Sequence, residues 1–351
     1  MVEIITDSSV LYTEEEAKAA GFEAIPMCVH IGDMEGRDLK IDMEEFYRRI
    51  AEGQVPRSSQ PPIGDVAEAY ERYPEAEILN IAIADGLSGT YQGACAAREL
   101  VDHGERITVF NSRTLCGPHR YMVEKVQRMK EEGRSLSEML QWLEWAASHT
   151  EPFLIPQDFS FLRRGGRLTP VAAALGSVLK LKPVMKLTED GKRIDKCFVK
   201  RTLSAAVKGV IEHMKQAGVC ERHIAYVVHA AARQEAEKVR EMLSQAFAGL
   251  EIHIMDLSPV FVTQGGPGCI AIQYIDGKRK AVRTKRGALL KRFSKKGEFF
   301  SIPQSDGLFP HFDDSCVLLP VHRKTKVSGG LGGRSPVQSH RFVRWKDCQK
   351  I

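Results

Sequence analysis

Strand-length apolar runs that alternate with helical patterns constrain this chain more than any other feature. Val2–Thr6 stops at Asp7-Ser8-Ser9, and Ile78–Ala84 stops at Asp85-Gly86-Leu87-Ser88-Gly89-Thr90. A strand is also expected over Ala24–Ile31 and another over Ile107–Asn111, with helices over Glu14–Ala20, Met43–Ala51, Val66–Tyr73, Tyr91–Val101, Tyr121–Lys130 and Leu136–Ser148. Strands alternating with helices in this way predict a parallel sheet covered on both faces. Arg57-Ser58-Ser59-Gln60-Pro61-Pro62 reads as a loop, because its prolines forbid a helix interior or a central strand.

After Thr150 the pattern changes. Phe153–Ile155 predicts a strand, a helical turn runs through Phe161 and Leu162 to Gly165-Gly166, and Val171–Leu179 reads as a helix of small residues. Lys182–Met185 and Ile194–Val199 predict a hairpin about Asp190-Gly191. Helices follow over Leu203–Gln216 and Glu235–Phe247, with strands over Ile224–His229, Ile252–Leu257 and Cys269–Ile275. The fold class expected is α/β in two domains: residues 1–150 on a parallel sheet, and residues 151–280 on a mixed or antiparallel one. Beyond residue 280 no helix or strand period is sustained, and 281–351 reads as a basic, poorly ordered tail.

Charge is divided along the same boundary. Of 50 basic and 45 acidic residues, 18 basic and 5 acidic fall from Lys278 onward, leaving 32 and 40 before it. The net charge of +5 therefore combines an acidic body with a basic tail, and says little about partners of the folded part. The tail could attract nucleic acid or an anionic membrane nonspecifically, with transient membrane contact, but it has no spacing that suggests specific recognition. Eight cysteines occur singly, without a CxxC pair, which suits reduced thiols in a cytoplasm. No signal peptide, metal-spaced cluster, apolar run of membrane length or organic cofactor motif is evident.

Four loops could carry chemistry. The turn at Gly86–Thr90 lies between a buried strand and a helix, at the carboxyl end of a parallel sheet where ligands bind in α/β folds. The helix start favours an anion, Ser88 and Thr90 add hydroxyls, and Gly89 permits close approach. Ser88 could equally serve only as the helix cap. The same turn is similar to the elbow of serine hydrolases, with His229 or His253 as a downstream base, although Thr90 stands where that motif has glycine. Ser58 and Ser59 could aim donors from the proline-stiffened loop. Arg163-Arg164-Gly165-Gly166-Arg167 offers cations but no Walker sequence, and Gly265-Gly266-Pro267-Gly268 allows a close backbone approach.

Taken in order, these segments resemble the DegV family of fatty-acid-binding proteins. The likeness runs from Thr6-Asp7-Ser8 through Ser58-Ser59-Gln60-Pro61 and Leu87-Ser88-Gly89-Thr90-Tyr91-Gln92. It continues at Phe161–Leu168, Leu181–Val184, Gly191 and Lys200-Arg201, and closes at Gly266-Pro267-Gly268, covering about residues 2 to 277. The resemblance implies a long-chain fatty acid between two domains, with no catalysis by the carrier itself. It implies ligand contacts from Ser58, Ser59, Ser88, Gly89 and Thr90, and from Asp7 and Ser8 of the signature that opens the family pattern. It further implies a separate fatty-acid kinase as partner, faced by Arg167, Arg201 and Gln264. The chain departs from the pattern at Ala84-Asp85, where two serines are usual, and at Gln264, where the family has histidine. Asp85 would oppose a fatty-acid anion unless it points away. Those two positions leave room for another small anionic ligand.

Overall fold

The structure, a computed structural model, describes residues 2–174 and 181–277. In the first half, β1 (Val2–Asp7), α1 (Glu14–Ala19), β2 (Glu23–Ile25), β3 (Cys28–Ile31), β4 (Met34–Arg37) and α2 (Met43–Ala51) lead to β5 (Arg57–Ser59) and α3 (Ile63–Glu71). Then come β6 (Glu77–Ala82), α4 (Thr90–Arg98), β7 (Ile107–Asn111), α5 (Cys116–Glu131) and α6 (Leu136–Ala147). The second half holds β8 (Thr150–Ile155), α7 (Phe159–Gly165), α8 (Pro170–Ala173), β9 (Lys182–Leu187) and β10 (Ile194–Lys200). It continues through α9 (Leu203–Gln216), β11 (His223–His229), α10 (Arg233–Ala246), β12 (Glu251–Asp256), α11 (Pro259–Gly265) and β13 (Ile270–Asp276).

The first sheet is parallel, in the order β2-β1-β6-β7. Successive side chains of a strand face opposite ways, and both faces are apolar here. Ile5 and Ile78 pack under α3 and α4 with Tyr70 and Ala97, whereas Ile4, Leu79 and Ile81 pack with Met122 and Val126 of α5. The second sheet has the order β10-β9-β8-β13-β11-β12; β11 and β12 run parallel and its other neighbours antiparallel. The α/β fold with one parallel and one mixed sheet is therefore as expected. Phe153, Val184, Val227 and Ile272 of the mixed sheet bury one face against α9 and α10.

Three expectations need correction. Ala24–Ile31 is not one strand: Pro26, which lacks an N–H, separates β2 in the parallel sheet from β3 in a small three-stranded one. Arg57–Ser59 is a strand rather than a loop, antiparallel to β3 with Ser58 opposite Val29. The prolines that argued against it come only at 61 and 62, so all three strand residues keep their N–H groups. The helix expected over Val171–Leu179 is described as Pro170–Ala173, and residues 175–180 lie outside the described residues. The tail expected over 281–351 lies outside them as well.

One buried carboxylate ties the first half to α11. Asp38, 1% exposed, accepts from the Ser8 hydroxyl (2.8 Å), the Ser258 hydroxyl (2.9 Å) and the Val260 N–H (3.1 Å). Burial pushes its pKa up from 3.8 to about 6, against the lowering effect of those donors. The folded protein thus holds this proton more tightly than the unfolded chain. The stability gained is complete below the ordinary carboxylate value and is lost as the pH rises through about 6. Urea denaturation of the wild type and Asp38→Asn between pH 4 and 7.5 checks this. The wild type should lose stability relative to the variant as the pH rises, and a gap independent of pH would contradict the assignment.

Candidate binding site

A cavity of about 350 Å³ opens among the carboxyl end of β6, the start of α4, and β8, β9, α11 and β13. Its volume falls in the ~300–1,000 Å³ range of small-molecule sites. Most of the wall is apolar, contributed by residues such as Ile83, Leu154, Leu162, Met185, Val260 and Phe261.

Most of the polar wall residues form one connected arc; Lys186, paired with Glu151 (3.2 Å), and Gln273, which accepts from the Gly117 N–H (3.1 Å), stand apart from it. Ser58 Oγ accepts from Gln264 Nε2 (3.4 Å) and lies 3.1 Å from Thr263 Oγ1, which Gln264 Nε2 also contacts at 3.0 Å. Gln264 Oε1 rests on Gly165, where an added Cβ would lie 2.1 Å from it. Arg167 donates to the Gly165 carbonyl and, through Nε, to the Leu87 carbonyl at 2.9 Å. Ser88 and Gly89 follow Leu87 directly, and Gln60 Oε1 closes the arc over Gly89, 2.1 Å from where a Cβ would stand. Ser58, Ser59, Gln60, Ser88, Gly89, Arg167 and Gln264 all face the cavity.

Two features decide what this arc can hold. Gly89 caps α4 with no side-chain acceptor of its own, and Ser88 Oγ lies 3.3 Å from the Thr90 N–H and 2.8 Å from Thr90 Oγ1. Ser88 is therefore both a helix cap and a cavity hydroxyl. Arg167 is half-buried, and among the described residues no carboxylate pairs with it. Burial first, and then the neighbouring Arg193, lower its pKa from the usual guanidinium value. A partly desolvated cation bound only to carbonyl oxygens can still take an anion, and a planar fork suits a carboxylate or phosphate.

The remaining candidates lie elsewhere. Asp7 and Ser8 are buried behind the wall. Asp7 accepts from the N–H groups of Ser9 (2.9 Å) and Ile83 (2.9 Å), and so fixes a cavity residue without facing the cavity. Thr90 is buried beside Ser88, and Arg201 is exposed in the bend after β10; neither lines the cavity. Asp85 pairs with Lys192 rather than facing a ligand.

Among the described residues no histidine bonds Ser88, whose hydroxyl meets Thr90. His229 pairs with Asp256 (3.3 Å), and His253 bonds Glu251 (2.8 Å) while stacking on Tyr226. The closest serine–histidine contact here, Ser9 Oγ to His119 Nδ1 at 2.7 Å, is fully buried, and burial lowers the His119 pKa. Among the described residues no cluster could hold a metal ion, no helix is long and apolar enough to cross a membrane, and all six cysteines are free. Thr263 and Lys192 were not singled out from the sequence; only their places, beside Gln264 and after Asp190-Gly191, could have drawn attention to them.

The fold and site define a class of α/β protein with one parallel sheet, one mixed sheet and a small third sheet, holding an apolar cavity with an arc of polar groups on its wall. A family profile described as uncharacterised proteins of the DegV family matches residues 1–277, and the chain belongs to that family. A DegV domain-containing protein of Caldanaerobacter subterraneus is 30% identical over 72% of this chain and 94% of its own length. The fold is similar to that of a DegV family protein from Thermus thermophilus described for its fatty-acid binding. That match has a TM-score of 0.71 and 26% identity, and covers 78% of this chain and 99% of the other. It is also similar to DegV of Bacillus subtilis, described as a fatty acid binding protein, with a TM-score of 0.69, 27% identity and the same coverage.

Proposed function

We propose that this protein is a non-catalytic, cytoplasmic carrier that holds a long-chain fatty acid in the cavity and presents its carboxylate to a separate fatty-acid kinase. The observation that carries the reading is Arg167, half-buried and, among the described residues, without an acid partner, lining the same otherwise apolar cavity as the hydroxyls of Ser58 and Ser88. In this reading residues 1–150 and 151–280 act as two domains with the ligand between them. Ser58, Ser88 and the backbone at Gly89 and Thr90 orient the carboxylate, and Arg167, Gln264 and the exposed Arg201 face the kinase. The acyl chain supplies most of the affinity, because each buried CH₂ contributes about 0.8 kcal/mol, and the hydroxyls fix direction. The Asp85–Lys192 pair removes the charge expected to repel a carboxylate, and the mostly apolar wall favours a fatty acid over another small anion.

Lipid mass spectrometry on mildly denatured protein tests the reading. A stoichiometric long-chain fatty acid is expected; a lipid-free extract from protein that also fails to take up added fatty acid would falsify it. Ser88→Ala should then weaken binding by about 1.5 kcal/mol, roughly tenfold, by leaving a charged acceptor short of a donor. Unchanged affinity in titrations would reduce Ser88 to a helix cap.

A further inference from the structure

The turn that carries Ser88 is held from the far half of the chain at three consecutive residues. The β9–β10 turn is internally fixed: Thr188 and Arg193 are paired through backbone (2.9 Å), and the Lys192 N–H donates to Asp190 Oδ1 (3.0 Å). Its Lys192 reaches across to Asp85, whose side chain is only 9% exposed. Immediately beside them, a Cβ on Gly86 would stand 2.2 Å from Lys192 Cα and 2.4 Å from its carbonyl oxygen, so backbone lies on backbone. One residue further on, the Leu87 carbonyl accepts from Arg167. Three consecutive residues, Asp85, Gly86 and Leu87, thus meet the second half just before Ser88.

We propose that Asp85 and Lys192 are positioning residues: their ion pair clamps the Ser88 turn against the β9–β10 turn and slows release of the bound acid. The proposal rests on the fatty-acid reading for its second half only. A Lys192 side chain half in water would contribute little by itself, but its removal leaves a largely buried carboxylate without a cation, and that imbalance loosens the turn. Among the described residues no other charged side chain pairs with Asp85; the Asp85 N–H donates to Asn111 Oδ1 at 3.3 Å.

Two measurements separate the clamp from the ligand. Hydrogen exchange on lipid-free protein reads the Leu87 and Ser88 amides, both bonded to the Ala84 carbonyl. Lys192→Ala and Asp85→Ala should speed exchange there, and the reversed pair, D85K with K192D, should restore most of the protection. Stopped-flow release of cis-parinaric acid should quicken roughly three- to tenfold in each single variant. High salt should quicken release from the wild type more than from Lys192→Ala. Exchange unchanged at both amides overturns the clamp. If exchange responds as expected but the wild-type protein binds no parinaric acid, the fatty-acid reading fails, and with it the proposed effect on release.

Discussion

Replacing Ala271 with leucine should cut the affinity for a cavity-filling fatty acid by roughly sixtyfold and leave short acids unaffected. Ala271 lies on β13, is 6% exposed and forms part of the cavity wall. Leucine adds three carbon atoms there, occupying the room of about three methylenes of ligand. At ~0.8 kcal/mol per buried CH₂ the loss is ~2.4 kcal/mol, which is the sixtyfold quoted. The neighbouring prediction is a slope: in the wild type each added methylene should gain about fourfold in affinity until the cavity is full. Titration calorimetry over a series of saturated acids reads both quantities. The variant's curve should follow the wild type at short lengths and break away about three carbons earlier. Equal weakening at every length would mean that leucine had disturbed the headgroup arc, and no dependence on length would remove the apolar cavity from the binding mechanism. A core that tolerates leucine is expected, because the side chain would grow into empty space rather than into packed neighbours.

Most of the fold was legible because its strands are strongly apolar and its turns chemically explicit. Ile107–Asn111 and Leu203–Gln216 coincide with the observed β7 and α9, and Asp190-Gly191 does mark the β9–β10 turn. What was not legible depends on partners distant in sequence. The strand at Arg57–Ser59 exists because β3 offers its edge, and nothing within those three residues announces that pairing. Asp85 looked like a charge set against an anionic ligand; its cation is 107 residues away, at the tip of a turn whose placement only the assembled sheets decide. The polar arc was legible as separate loops and not as a unit, because residues near 58, 88, 167 and 264 converge only through tertiary contacts such as Gln264 on Ser58. Asp7 shows the opposite case. A polar residue at a strand end reads as a ligand contact, yet burial has turned both its oxygens toward backbone N–H groups.

Gly117→Val should be the most destabilising of these changes, at about 3 kcal/mol, near the upper end of what overpacking a core costs. Gly117 sits in the first turn of α5, where its N–H donates to Gln273 Oε1 at 3.1 Å. An added Cβ there would lie 2.1 Å from Cγ of Tyr226 and 2.5 Å from both Cδ atoms. That ring is 5% exposed, belongs to the same apolar cluster as α5, and stacks on His253, so it has little room to retreat. Two effects compete when a side chain is introduced. Helix propensity favours alanine over glycine by up to ~1 kcal/mol, so an exposed glycine at this position would be improved by the change. The clash is with a buried aromatic ring, costs more than that gain, and therefore sets the sign. Gly117→Ala should accordingly destabilise despite its better propensity, and Gly117→Val should do so further, since β-branching adds two more methyl groups to a Cβ that already meets the ring. Denaturant unfolding of the two variants, alone and combined with Tyr226→Leu, checks the cause. If the ring is the obstacle, the combined changes should cost clearly less than their separate losses added together, a coupling expected of residues in direct contact. Additive losses would place the cost elsewhere, and a stabilised Gly117→Ala would show that the ring can move aside. The consequence reaches the cavity, because Cys116 beside it is a wall residue and α5 is where the parallel sheet's helix layer meets β11 and β13. A side chain at 117 that pushes α5 off Tyr226 must also shift that wall, so fatty-acid affinity should fall with stability in the same variants.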